Sequence, residues 1–339
     1  MNSNHSMAGE QPSPAVSVIV VSYNTREILR LCLQRLSEEL TGIRAQVIVV
    51  DNDSRDQSAE MVELAFPQFE LLRSSSNLGF AAANNLGFSH ASAPYIVLLN
   101  PDAFLGQGAI RKALAHIESM PQVGIAGGRL QDQQGKLQPS GRLFPSLINE
   151  LLSLSGLAAR FPQSRLFGRF DRTWADPEQD ARVDWVPGAF TIIRQSALKA
   201  AGRFDERFFL YYEEVDLCRR VAQAGYQIWY WPEIRVTHLG GESSKTVTTL
   251  AFSSAGSQLT LWRMRSALLY YRKHHGKLIA WLCARLEIGW NQLRLFKRST
   301  LAAAARDPQL NQQLSRDVAL MQRAWRETSG GAVSPQRPW

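Results

Sequence analysis

Cysteine is scarce in this chain. Cys32, Cys218 and Cys283 are far apart and odd in number, which excludes a disulfide framework or a cysteine-built zinc cluster and makes a reducing cytoplasm the expected home. Residues 1–14 lack the basic start and apolar core of a secretory signal and read as a loose polar leader. The stretch from Leu278 to Phe296 is rich in large apolar side chains, but Arg285, Glu287 and Arg294 interrupt it. It is too charged for a membrane span of about 20 mainly apolar residues. Neither a repeat array nor a disorder-prone composition is present. Hydrophobic residues make up 45% and charged residues 20%, as in a folded globular chain. Acidic charge is nearly missing from one segment alone: between Leu261 and Thr300, nine Lys or Arg face the single acid Glu287, which equals the whole net charge of +8. A basic surface is therefore attached to a nearly neutral body.

What is present is alternation. Val16 to Asn24 reads as a buried strand that turns polar at its carboxyl end. Thr25 to Leu40 then places Ile28, Leu31, Leu33 and Leu36 at helical intervals, with Thr25 or Asn24 as the cap. Gln46 to Val50 is a second buried strand running into Asp51-Asn52-Asp53-Ser54, followed by a helix from about Ser58 to Phe66 and a short strand at Leu71 and Leu72. Asn77 to Asn85 reads as a loop turning on Gly79 into an alanine-rich helix, whose first N–H groups suit a phosphate. Tyr95 to Leu99 is a buried strand that Pro101 stops. It delivers Asp102 to the place where open α/β sheets bind ligands, outside the carboxyl ends of the strands. Asn100-Pro101-Asp102 alone also describes an ordinary turn. A helix from about Gly108 to Ser119 completes a β-α repeat that predicts a parallel sheet with helices on both faces.

Beyond residue 120 the pattern predicts a strand from Val123 to Leu130, a hairpin or exposed loop to Gly141, a helix from Leu147 to Leu157, and a mobile loop over a site from Ala158 to Asp180. A strand resumes after Pro187-Gly188, a helix runs through Ala200, and Tyr226 to Trp231 forms the last strand. His238 is followed by Gly240-Gly241, which reads as a loop shaped for close approach. Glu213, Glu214 and Asp216 open a helix directly after Phe208-Phe209-Leu210-Tyr211-Tyr212. Acids there suit the helix dipole. A carboxylate against an apolar wall also gains the raised proton affinity that a general base needs.

The stretches Ser17 to Asn24, Asp51 to Ser54, Asn77 to Asn85, Leu98 to Asp102, Gly202 to Arg220 and His238 to Ser244 occur in the order and spacing of glycosyltransferase family 2. From Val16 to Lys277 the chain resembles the bacterial branch that includes the rhamnosyltransferases of cell-surface polysaccharide assembly. The resemblance implies the GT-A fold, an α/β, Rossmann-like, mostly parallel sheet with helices on both faces, here with a C-terminal helical extension. It divides the chain into a disordered leader (1–14), a catalytic domain (15–250) with a nucleotide-binding half (15–120) and an acceptor half (121–250), a basic amphipathic extension (251–329) and a loose tail (330–339).

The chemistry it implies is inverting transfer of one sugar from a nucleotide-diphosphate donor, dTDP-rhamnose being the expected one, with Mg²⁺ or Mn²⁺ as cofactor. Tyr23 would pack on the nucleobase and Asp51, Asn52 and Asp53 would hold base and ribose, with Asn77, Gly79, Phe80, Asn84 and Asn100 completing the donor site. Asp102 and His238 would serve the metal and diphosphate, and Trp185 and Gly188 would line the sugar or acceptor pocket. Trp185 as ordinary core is an equal alternative. Glu214 matches the family's base, which is usually Asp, so Glu213 and Asp216 stay candidates beside it. Gln258-Leu259-Thr260-Leu261-Trp262-Arg263 only loosely echoes the processive members' motif, which favours single-sugar transfer. The basic extension suits an anionic membrane surface. Packing on the catalytic domain or on a second copy is its alternative. A lipid-linked or glycan acceptor, and peripheral attachment at the inner face of the cytoplasmic membrane, are expected. Nucleic-acid binding is not, since no recognised module accompanies the basic residues. A non-catalytic nucleotide-sugar scaffold is the competing class. A nucleotidyltransferase is disfavoured, because Ser22-Tyr23-Asn24-Thr25 is not a glycine-rich basic loop.

Overall fold

A computed structural model describes residues 13–240, 255–300 and 307–335. Most of the expected leader, the Gly241 to Ser244 part of the His238 motif, and residues 336–339 of the tail lie outside the described residues. The chain opens with β1 (Val16–Ser22), α1 (Arg26–Glu39), β2 (Ala45–Asp51), α2 (Ser58–Ala65), β3 (Glu70–Arg73), α3 (Gly79–His90), β4 (Tyr95–Leu99), β5 (Ala103–Leu105) and α4 (Ala109–Ser119). It continues with β6 (Val123–Gln131), α5 (Leu147–Leu154), α6 (Leu157–Arg160), β7 (Ala181–Val183), β8 (Phe190–Arg194), α7 (Gln195–Ala201), α8 (Glu213–Gln223) and β9 (Gln227–His238). The C-terminal helices are α9 (Ala255–Thr300) and α10 (Pro308–Glu327).

One sheet runs β3-β2-β1-β4-β8-β6-β9-β5, with β7 beside β9. β1 to β4 are mutually parallel, and β6 and β9 share their direction because β8 is antiparallel to both β4 and β6. Alternation along the strands feeds two cores, as a period of two requires. Val18, Val20, Val97 and Leu99 face a layer built from α1, α2 and α4. Ile19, Ile96 and Leu98 face a layer built from α3, α7, α8 and the C-terminal helices.

Four local expectations are corrected. In α1 it is Leu29, Cys32, Leu33 and Leu36 that turn inward, while Leu31 is exposed. No Thr25 side chain caps that helix; the Arg26 N–H donates instead to Asp56 Oδ2 at 2.8 Å. The chain does not pass directly from Asp102 to a helix but forms β5, antiparallel to β9 with Ala103 opposite His238. β9 continues well past Trp231 to His238, so His238 ends a strand and is not carried by a loop.

Gly276 (φ 85°, ψ 173°) breaks α9 into arms 255–275 and 277–300. The arms fold back on each other: Leu261, Met264 and Leu268 of the first share an apolar core with Ala284 and Ile288 of the second and with Leu320, Met321 and Ala324 of α10. The extension is also built into the catalytic layer. Tyr270 and Tyr271 are fully buried there, and the Tyr271 hydroxyl donates to Glu150 Oε1 of α5 at 2.8 Å.

Candidate active site

The carboxyl ends of β1, β2 and β4, the β3–α3 loop and the segment before α8 meet at one end of the sheet. Their backbone is unusual. Asn24 (φ 52°), Asp53 (φ 68°), Tyr211 (φ 69°) and Tyr212 (φ 67°) are left-handed without being glycine, a conformation that costs energy and gathers where side chains must be aimed.

At β2, Asp51 is buried; its Oδ2 accepts from the Ser54 N–H at 3.1 Å, while Oδ1 is buried without a hydrogen-bond partner. Burial raises its proton affinity, and the hydrogen bonds from Ser54 offset this only in part. An orphaned buried acceptor is rare in a finished structure, and a ligand N–H or O–H would satisfy it. Asn52, by contrast, is used up internally. Its amide donates to Asn77 Oδ1 (3.0 Å) and the Gly79 carbonyl (3.4 Å), and its Oδ1 accepts from the Leu78 N–H (2.8 Å). Both amide hydrogens are spent, so Asn52 shapes the β3–α3 loop. Asn84 similarly donates back to the Phe80 carbonyl, inside its own helix.

That loop is joined to the segment before α8. The Phe80 N–H donates to the Phe209 carbonyl at 2.8 Å, and a Cβ on Gly79 (φ +79°) would lie 2.4 Å from the same oxygen. Only glycine allows this approach. The Phe80 ring lies over Gly188, where a Cβ would meet it at 3.2 Å. The Gly188 backbone in turn lies beside the Glu214 carboxylate and lowers its proton affinity, and the Asn100 N–H donates to the carbonyl of Ala189 at 3.0 Å. A continuous set of contacts thus runs from the end of β4, through Gly188 and Ala189, to Glu214.

Glu213 and Glu214 are adjacent acids whose carboxyl groups shift each other's proton affinity. Burial, and then the charge of Glu214, raise Glu213 well above the usual carboxylate range. Burial also raises Glu214, opposed by the Glu213 side chain, the Arg142 charge and the Gly188 backbone. Glu213 is therefore the protonated partner, and half-buried Glu214 carries the negative charge. Asp216 is different. It is wholly buried and takes Arg220 Nε at 2.8 Å, Lys273 Nζ at 2.7 Å and His274 Nε2 at 2.6 Å. Burial alone would raise it, but His274, Arg220 and Lys273 hold it below its ordinary value. The structure moves Asp216 from candidate base to anchor, tying α8 to the first arm of α9.

Trp185 also sits deeper than a pocket wall would. It is 6% exposed, its indole N–H donates to the Leu143 carbonyl at 2.9 Å, and the Arg142 guanidinium covers its ring at 4.6 Å. Arg142 reaches Asp171 as well, through Nε at 2.6 Å. The segment from Ala158 to Asp180 is held here by that pair and by the Tyr230 hydroxyl donating to the Pro177 carbonyl.

Residues 17–175 match the glycosyl transferase family 2 profile. An N-acetylglucosaminyl-diphospho-decaprenol L-rhamnosyltransferase of Mycobacterium tuberculosis is 30% identical over 232 residues, 65% of this chain and 75% of the relative. The chain belongs to glycosyltransferase family 2. Rhamnosyltransferase WbbL of Escherichia coli is 23% identical over 265 residues, 75% of this chain and 92% of that one. In fold, a mannosyltransferase from Pyrobaculum calidifontis solved with GDP-Man and Mn²⁺ matches with a TM-score of 0.54 at 17% identity, over 93% of this chain and 87% of that one. GalNAc-T7, solved with UDP, GalNAc and Mn²⁺, also reaches 0.54 at 14% identity, over 82% of this chain and 51% of its own. The architecture is GT-A, and the chain is a glycosyltransferase.

β5 and β9 bring His238 Nε2 to 3.4 Å from Asp102 Oδ1, and the Leu239 N–H ties to the Asp102 carbonyl at 3.0 Å. Gln138 Nε2 donates to the His238 carbonyl at 2.9 Å, which turns Gln138 Oε1 toward His238 Nδ1 at 3.0 Å. Nδ1 is then paired with Gln138 Oε1, which leaves Nε2 facing the Asp102 carboxylate. Two facing donors fit a cation between them. Among the described residues no cluster of three or more His, Cys, Asp or Glu could hold a metal. A pair suits Mg²⁺ or Mn²⁺, which keep waters and take substrate phosphates as their other ligands. Gln138, Arg142, Phe209 and Lys273 were not visible as site residues in the sequence; each acts on a partner tens of residues away.

Proposed function

We propose that this family 2 enzyme is an inverting transferase that moves a single rhamnose from dTDP-rhamnose to a lipid-linked or glycan acceptor in cell-envelope glycan assembly, at the inner face of the cytoplasmic membrane. The observation that carries the reading is the chain of contacts linking the Asp102 end of β4 to Glu214 through Gly188 and Ala189. It supports a reading in which a diphosphate anchor at Asp102 and a general base at Glu214 serve one site.

Asp51, with its orphaned Oδ1, and Asp53 and Tyr23 at the neighbouring strand ends would take the nucleoside. Asp102 and His238 would hold Mg²⁺ or Mn²⁺, which when bound neutralises charge on the leaving diphosphate. Glu214 accepts the proton of the acceptor hydroxyl as that oxygen bonds to the sugar carbon and the bond to the diphosphate breaks on the opposite face. Glu213, protonated, adds no second negative charge beside it. The rhamnosyl and lipid-diphosphate parts of the reading are supported by the name of the mycobacterial relative.

The test is release of nucleoside diphosphate from a panel of dTDP-, UDP- and GDP-sugars, with Mn²⁺, Mg²⁺ or EDTA, and with bacterial lipid extract as acceptor. Turnover of dTDP-rhamnose above the other donors, abolished by EDTA, is the expected result. Turnover that is indifferent to EDTA would remove the metal, and preference for another donor would replace rhamnose. Tight donor binding with no turnover in any extract would favour a nucleotide-sugar-binding scaffold.

A further inference from the structure

The arm 277–300 of α9 has two apolar faces. One packs inward through Ala280, Cys283, Ala284 and Ile288. On the opposite side lie Leu278 (66% exposed), Trp281 (41%), Leu293 (43%) and Phe296 (66%), with Arg285 among them. At 3.6 residues per turn these positions fall on one stripe about 120° wide. The face opposite the packed one is ordinarily polar. Here it holds four of the twelve large apolar side chains that the described residues expose.

The stripe borders a cleft. α10 sets Trp325 and Arg326 across from Trp281 and Arg285, around a cavity of about 180 Å³ that also meets Ala284, Ile288 and Gln322. The Arg285 guanidinium lies 5.6 Å from the Trp281 ring centroid. Two indoles and two guanidinium groups thus line a cleft that no carboxylate enters. The sole acid of the arm, Glu287, is largely enclosed by protein near Arg263 and Glu150, and burial pushes it up to about 7. α5, packed beside α9, exposes Ile148 and Leu151 as well.

We propose that this face is a docking surface for the anionic phospholipid headgroups of a bilayer. Trp281 and Trp325 would lie at headgroup level, Leu278, Leu293 and Phe296 would dip below it, and Arg285 and Arg326 would take lipid phosphates. Charge selects this occupant. A two-fold contact of this face with a second copy would bring the exposed Arg285 and Arg326 of one copy against the same basic groups of the other, a like-charge juxtaposition inside an apolar interface. An anionic bilayer meets both the apolar stripe and its basic flanks. The proposal rests on the lipid-linked-acceptor reading only for its purpose, because vesicle binding is measured without donor or acceptor.

The full chain would be sedimented with vesicles of phosphatidylcholine alone and of phosphatidylcholine mixed with phosphatidylglycerol, beside Leu278→Glu/Leu293→Glu and Arg285→Glu/Arg326→Glu. The exposed positions leave folding intact, checked by thermal unfolding and by donor binding. Binding to the anionic vesicles alone is expected, weakened by about tenfold or more in each double variant. It should also fall steeply in salt of about 0.5 M, where the Debye length is short. Undiminished binding in both variants, or equal binding to neutral vesicles, would overturn the proposal. So would a native dimer that the leucine variants split. Lost vesicle binding with native donor turnover in solution would leave the catalytic reading untouched.

Discussion

Glu213 and Glu214 divide one task between two adjacent carboxylates. In the proposed mechanism Glu214 is the base, its negative charge favoured by Gly188, Arg142 and the neighbouring Glu213 carboxyl, and Glu213 is the partner that burial keeps neutral. The pair has a consequence for stability. Glu213 binds its proton more tightly in the folded chain than in the unfolded one, so its contribution is fully present below the ordinary glutamate range and is lost as pH rises through the raised folded value. Glu213→Gln keeps a neutral side chain beside Glu214 and removes that loss. Its thermal unfolding temperature at neutral pH should lie above that of the native chain, and the two should converge as pH falls below the ordinary glutamate range. A gap of the same size in both pH ranges would contradict the neutral-partner role. Three acids at the start of a helix were legible in the sequence, but their separate roles were not. Asp216 differs from Glu214 because Lys273 and His274 reach it from more than fifty residues away, and no local pattern encodes that.

The strand and helix order was readable almost throughout, since alternating apolar runs and helical spacing report the two-layered sheet directly. Where reading stopped, tertiary pairing was in charge. β5 is three residues long and exists because β9 offers it an edge, and β9 passes through Pro232 where a proline would be expected to end a strand. Those two elements bring His238 to Asp102, so the sequence named both residues without showing how they meet. The β3–α3 loop shows the same limit: Gly79 was visible as a turn, and the Phe209 carbonyl that demands a glycine there was not. Gly79→Ala places a Cβ against that carbonyl at a left-handed φ and should cost about 2 kcal/mol or more. Donor affinity should fall along with stability, read by calorimetric titration of the nucleotide and by chemical unfolding. Native stability in this variant would show that the loop has room the geometry denies it.

The C-terminal helices are part of the catalytic body and not an attached tail. Tyr270 and Tyr271 fill the layer beneath α8, Lys273 and His274 neutralise Asp216, and Trp262 packs on Phe209 with ring centroids 4.4 Å apart. A chain ending before Ala255 should therefore be insoluble or lack a cooperative unfolding transition. A soluble truncated chain with native donor binding would contradict this. The basic composition of the segment was evident from sequence, whereas the inward aromatic face of its first arm was hidden because the partners of Trp262 and Tyr271, Phe209 and Glu150, lie more than fifty residues away.

The most direct measurement is transfer of labelled rhamnose from dTDP-rhamnose to an N-acetylglucosaminyl-diphospho-polyprenol, comparing the native chain with Glu214→Gln and Asp102→Ala while dTDP binding is followed in parallel. Native transfer should proceed, and both variants should fall by about 100-fold or more. Nucleotide binding should survive in Glu214→Gln and weaken in Asp102→Ala. Near-native transfer by Glu214→Gln would contradict the assignment of the base and, with it, the single site from Asp102 to Glu214.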